Sequence, residues 1–245
     1  MLTKKILTSF CSYFIFLTLF QWSLPAVAGE QSVYDFSWLD KDKEVFVLQN
    51  RKFRKVMSPY LSIGSGMTTS GAFVDSYYFQ GRAGMFFQEE LGLEFLYTKA
   101  SGDENETYKS VENINNTGAG ATAFRRIVDN YWGVAFLWSP FYAKINTFNS
   151  IVYMDWVIGA GVGQLTEHNN KESIRESTPL ADTTETHLGG FWETSLKFWV
   201  TQDWSVNFDL VGFYYQAEKA QSIADENSKE FYSNYDLGLS LTYHF

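Results

Sequence analysis

The sequence predicts an all-β chain, an eight-stranded antiparallel transmembrane β-barrel with a short periplasmic N-terminal extension. Three observations lead there. The last segment alternates strictly, with Tyr235, Leu237, Leu239, Leu241, Tyr243 and Phe245 on one face and Asp236, Gly238, Ser240, Thr242 and His244 on the other. Side chains of a strand alternate with period two, so this segment has one oily and one wet face. Seven earlier segments repeat the pattern, with connections of alternating length. The first 28 residues read as a secretory signal: Lys4 and Lys5, an apolar stretch from about Ile6 to Leu24, and small residues Ala26 and Ala28 before Gly29.

Gln21, Ser23 and Pro25 interrupt the apolar stretch, which argues against a retained anchor. Cys11 has no lipobox before it and leaves with the signal, so the mature chain lacks disulfides and thiolate metal cages. Loss of residues 1–28 removes two lysines and no acid, taking the net charge from −9 to −11. That acidity argues against nucleic acid as a partner. No apolar run in the mature part reaches about 18 residues, so helical membrane spans are excluded.

Residues 29–53 read as the periplasmic extension and 54–245 as the barrel. Lys41, Lys43, Arg51, Lys52, Arg54 and Lys55 make the entry segment basic. Such a segment suits lipid headgroups, peptidoglycan or a periplasmic partner. Strands are expected at about 57–67, 73–87, 91–100, 129–138, 150–165, 188–200, 204–216 and 235–245. Pro140 is expected to stop the fourth, because proline cannot donate to a ladder. Polar stretches at 101–127, 166–187 and 217–232 read as long loops, 88–90 and 201–203 as turns, and 139–149 as an intermediate connection. Short periplasmic turns, longer outer loops and an even strand count are mutually consistent. Closure is required because lipid offers no partner to an unpaired strand edge.

A soluble barrel such as a lipocalin would alternate as well, but with its oily face inward. Residue size favours the membrane arrangement. Trp132, Trp138, Trp156, Trp192, Phe198, Trp204 and Phe208 share the oily face, while Gly84, Gly92, Gly133, Gly159, Gly161, Gly163 and Gly238 share the wet one. An eight-stranded barrel has little interior room, so small residues are expected inside.

Four stretches, Glu44–Lys55, Phe73–Tyr77, Leu137–Lys144 and Val152–Val162, resemble a family of small outer-membrane β-barrel domain proteins of gliding and predatory Gram-negative bacteria. The barrel is also similar in size to the OmpA and OmpX type. The resemblance implies a cell outer membrane location. It implies as partners outer-membrane lipids, lipopolysaccharide and the barrel-assembly machinery, with Phe245 as the assembly signal. It implies no activity.

Arg82, Glu94, Asp155, Glu193, Lys197, Asp209 and Asp236 fall on the wet face, where mixed charges in a narrow lumen should form a paired network. A lumen free of paired charges would favour a narrow channel instead. His168, His187 and His244 are scattered, and His187 with Thr183, Thr184 or Thr186 is the nearest approach to a lipid hydrolase, for which a Ser/Thr–His pair at one rim would speak. No catalytic, cofactor or metal residues are assigned. Asp103, Glu104, Glu106, Asp225, Glu226 and Glu230 read as solvated loop charges. The expected role is non-enzymatic display of outer loops for structural, adhesive or recognition work. In the closing strand, Leu239→Arg should be costly and Ser240→Ala should do little.

Overall fold

Eight alternating segments become eight strands, each paired antiparallel with its neighbours in sequence. The structure, a computed structural model, describes residues 51–69, 71, 73–116, 123–147, 150–176, 180–219 and 229–245. The signal segment 1–28 and residues 29–50 of the extension lie outside the described residues. The strands are β1 Ser58–Thr69, β2 Val74–Phe86, β3 Leu91–Glu104, β4 Arg126–Thr147, β5 Ser150–Asn169, β6 Thr183–Trp199, β7 Trp204–Glu218 and β8 Lys229–His244. Pairing of β1 with β8, from Tyr60↔His244 to Thr69↔Tyr235, closes the ring into a barrel.

The two ends differ. The β2–β3, β4–β5 and β6–β7 connections are short and lie at the end that carries Ser58 and His244, called here the turn end. The β3–β4, β5–β6 and β7–β8 connections are longer and form the loop end.

The alternation separates two environments. Leu237, Leu239 and Leu241 are exposed on the outside, as are Phe79, Phe95, Trp132, Phe136, Trp138 and Phe208. Ser240, Thr242, Asp236 and the other wet-face charges are buried inside. An oily exterior around an ionic interior inverts the soluble pattern, so the solvent of this outer wall is lipid.

Three expectations need correction. The first concerns Pro140, which does not end β4. The β4–β5 ladder shifts register between Trp138 and Phe141 and then continues to Thr147↔Ser150. The irregularity absorbs the missing proline donor, as a bulge can. The expected connection at 139–149 is therefore mostly a two-stranded ribbon.

Secondly, the stretch 101–127 is not all loop. It contains α1, Glu106–Asn116, and the later stretch 166–187 contains the short α2, Lys171–Glu176, between strand ends that reach Asn169 and Thr183. Asn105 caps α1: its side-chain oxygen accepts from the Tyr108 amide at 3.0 Å. Glu106 then favours the positive helix start. Tyr108 packs edge-on against Phe73. Asn105→Ala should cost α1 about 0.5–2 kcal/mol. Amide exchange at Tyr108 and Lys109 should speed up while the barrel's unfolding midpoint stays put; loss of protection throughout the barrel would contradict a local cap.

The third correction concerns interior size. Tyr60, Tyr78, Phe86, Tyr131, Phe191, Phe213 and Tyr215 are all buried inside. The inward glycines are hollows for these rings. A Cβ on Gly161 would come within 2.7 Å of the Phe191 ring, and one on Gly189 within 2.6 Å of the Phe213 ring.

Candidate functional site

The interior is stacked in layers. At mid-barrel, Arg82 projects from β2 into a group of carboxylates. Its Nη1 lies 3.3 Å from Glu94, 3.0 Å from Glu193 and 3.7 Å from Asp209, and its Nε donates to Gln80 at 2.6 Å. Hydroxyls complete the group. Tyr60 donates to Glu94, Ser195 to Asp209, and Ser240 to the second oxygen of Asp209. Asn207 donates to Ser240 and Thr242, at 3.2 and 2.7 Å. Beside this group, Asp236 accepts from Tyr131 and from Asn234.

Of the seven charges singled out in the sequence, then, Arg82, Glu94, Glu193 and Asp209 come together, while Asp236 belongs to a tyrosine–amide cluster. Asp155 lies nearer the turn end, where Arg51 and Lys55 reach it at 3.3 and 3.1 Å and the Trp199 indole donates to it at 2.7 Å. Lys197 has its ammonium over the Tyr60 ring at 4.7 Å and 3.4 Å from His244 Nε2.

The entry segment is part of this turn-end layer. Phe53 stacks flat on Trp199 with centroids 5.0 Å apart, and Lys55 donates to Ser139 at 2.6 Å. Burial pulls the Lys55 ammonium below its ordinary value, against the opposing pull of Asp155. Arg51 and Lys55 thus serve the barrel interior, which the reading of the whole basic segment as a surface feature did not anticipate. After Lys55 the chain turns out through Met57, at φ 54°, into β1.

Sequence reasoning also missed a layer at the loop end. Arg126 Nε lies 2.9 Å from Glu167, which accepts from Tyr215 at 2.7 Å and contacts His187 at 3.1 Å. Lys171 joins Glu185 to Glu218. Burial works against the Lys171 charge, but hydrogen bonds to those two carboxylates outweigh it and hold the ammonium above its ordinary range. The available signal was alternation through 183–187, where Glu185 and His187 share a parity and threonines fill the rest. Ligand atoms of Glu167, Glu185 and His187 lie within 4.8 Å of one another. Arg126 and Lys171 already balance those carboxylates, so this group holds together as an ion-pair cluster. Between this layer and mid-barrel, the rings of Tyr131, Phe213 and Phe191 follow one another across the lumen at 5.3 and 5.9 Å.

On the outer rim, His168 Nδ1 lies 2.9 Å from Thr184 Oγ1, its direct cross-strand partner. His187, by contrast, points inward and stacks on Tyr215. Among the described residues no carboxylate hydrogen-bonds the other ring nitrogen of His168.

No family model matches the sequence, and no curated protein matches it. Among solved structures the chain is similar to the N-terminal β-barrel domain of Pseudomonas aeruginosa OprF, at 12% identity and TM-score 0.46 over 78% of this chain and 98% of that one. It is similar to Neisserial surface protein A at 12% identity and TM-score 0.45, over 77% and 97%. Ail, the attachment invasion locus protein of Yersinia pestis, gives 12% identity and TM-score 0.34 over 78% and 99%.

Proposed function

We propose that this chain is a non-enzymatic outer-membrane β-barrel of Gram-negative cells, closed along its axis, that presents its loop end outward for structural, adhesive or recognition work. The observation that carries this reading is the pairing of an oily outer wall with an interior filled by bridged charges and stacked rings. The criterion for a narrow channel, a lumen without paired charges, is not met. The turn end would face the periplasm, with lipid and lipopolysaccharide around the wall. The resemblance to small barrel-domain proteins of gliding and predatory bacteria supports the location and adds no activity.

Phe245 suits a signal to the assembly machinery. Its amide donates to Pro59 O at 3.0 Å, while its ring stays exposed beside Tyr243. In this proposal Lys41, Lys43 and Arg54 of the basic segment meet peptidoglycan or a periplasmic partner. Envelope fractionation should recover a heat-modifiable outer-membrane species, and purified barrel in planar bilayers should give negligible conductance. Recovery as a soluble periplasmic monomer, or large stable ohmic steps, would overturn it.

The His168–Thr184 pair favours a second reading, a lipid-facing hydrolase. Hydrolysis of radiolabelled outer-membrane lipid that disappears in Thr184→Val would establish it; turnover absent from the wild type would remove it.

A further inference from the structure

Near the loop end the barrel wall is incompletely zipped between β3 and β4, as it is between β6 and β7, whose ladder stops at Gly189↔Tyr215. The β3–β4 ladder ends at Lys99↔Asn130. Yet β3 continues beside β2 to Glu104, and β4 begins at Arg126 beside β5. The cause lies in β4, whose ladder with β5 shifts register between Val128 and Asn130. An extra residue bends and twists a strand, so Arg126–Asp129 part from Ala100–Glu104. The Lys99–Asp129 ion pair at 2.5 Å bounds this seam below, and the Arg125–Glu104 pair bounds it above. Leu91–Lys99 climbs roughly 20–25 Å along the axis at about 3.3 Å per residue and a tilt of about 40°, against an apolar band about 25 Å tall. The seam therefore opens near the headgroup level of the loop-end leaflet, where an unpaired edge is tolerable.

Inside the seam lies a cavity of about 230 Å³ in the barrel mouth, lined by Phe73, Val74, Phe124, Val128, Tyr215 and Tyr232 together with Arg126. Outside it lies a groove of about 620 Å³ along Tyr77, Phe79, Lys99, Ala100, Ile127 and Val128. Val128 lines both.

Arg126 supplies the polar anchor. It is 6% exposed, its Nε faces Glu167, and its Nη2 reaches the Glu218 carbonyl at 3.4 Å. Its Nη1 has no hydrogen-bond partner among the described residues. Ser76, buried next to Gly102 on the inner side of the seam, also leaves its Oγ without one. A buried guanidinium donor without an acceptor is costly and calls for an anionic or carbonyl oxygen. The other walls are mainly aromatic and aliphatic, with Arg125, Ser233 and Asn234 as further polar lining. The cavity is smaller than the ~300–1,000 Å³ that encloses a drug-sized ligand, so a long occupant must extend beyond it, and the way out runs between the apolar Ala100 and Val128 into a groove whose rim also carries Asp129, His168 and Asp182.

We propose that the mouth cavity and the β3–β4 seam together bind a single-chain amphiphile with a carboxylate head, of the fatty-acid class. The head accepts from Arg126 Nη1, and the tail leaves through the seam between Ala100 and Val128 into the outer groove. This rests on the membrane reading above.

Native mass spectrometry of the folded barrel released from detergent tests it, with dodecanoic acid, methyl dodecanoate and hexanoic acid as probes. Dodecanoic acid should give a single adduct, and the methyl ester should bind at least tenfold more weakly. Arg126→Met should lose the acid adduct by a similar factor. Ala100→Trp, which fills the seam, should weaken dodecanoate several-fold and spare hexanoate. Equal binding of acid and ester, an unchanged adduct in Arg126→Met, or an equal effect of Ala100→Trp on both chain lengths would overturn the proposal. Should Arg126→Met fail to fold, the acid–ester comparison on the wild type still decides. Failure of the membrane reading would look different: no heat-modifiable membrane species, rather than a folded barrel indifferent to the head group.

Discussion

Arg82→Met should lower the unfolding free energy of the barrel by about 3–5 kcal/mol, the usual cost of removing one partner from a buried charge cluster. Arg82 is the cation around which Glu94, Glu193 and Asp209 gather, and its side chain is 5% exposed. Without it three carboxylates face one another in a closed space, where the side-chain donors left to them among the described residues are the hydroxyls of Tyr60, Ser195 and Ser240. The double variant Arg82→Met, Glu193→Gln removes one of the stranded charges and should regain part of the loss. Urea titration read by heat-modifiability measures both. A single variant as stable as the wild type would mean that the mid-barrel cluster contributes nothing to holding the strands together.

Leu239→Arg is expected to be the most damaging change on the outer wall. Leu239 is 55% exposed and faces outward between Ser65 of β1 and Phe208 of β7 in the registers. An arginine on the lipid face costs about 2–4 kcal/mol near the midplane. Outer-membrane abundance of the folded form should fall accordingly. The neighbouring Ser240→Ala is no longer expected to be silent. Ser240 donates to Asp209 at 2.5 Å and accepts from Asn207 at 3.2 Å, so the alanine strands a buried carboxylate oxygen at about 1–3 kcal/mol. Equal tolerance of Arg at 239 and 240 would erase the distinction between the two faces.

The eight-stranded barrel was legible because alternation is a property of single strands and survives without any knowledge of partners. Leu239 and Ser240 could be assigned to opposite faces from parity alone. Parity also put Arg82, Glu94, Glu193 and Asp209 on one side. It did not say which of the seven would meet, since that depends on register and on height along the axis; Asp155 and Asp236 ended in other layers. Local composition misled where long-range pairing decides. Pro140 is absorbed by a register shift that only the partner strand β5 defines, and Asn105 looks like a loop residue until its cap on Tyr108 is seen. The loop-end cluster of Arg126, Glu167 and Lys171 was hidden for the same reason, because polar inward residues at a strand end read as loop. Nothing local marks Lys55 as a lumen residue, since its partners Ser139 and Asp155 come from strands far along the chain.

Nitroxide labels placed singly at positions 236–241 would read the lipid–lumen alternation directly, because the only cysteine of the sequence, Cys11, lies in the expected signal segment. In lipid bilayers, labels at Leu237, Leu239 and Leu241 should collide freely with oxygen and poorly with a water-soluble nickel chelate. Labels at Asp236 and Ser240 should be shielded from both, held within the packed interior. A period-two swing in oxygen accessibility is the predicted result. Leucine positions that meet the nickel chelate more readily than oxygen, or no alternation along β8 at all, would contradict a barrel with lipid outside and paired charges within.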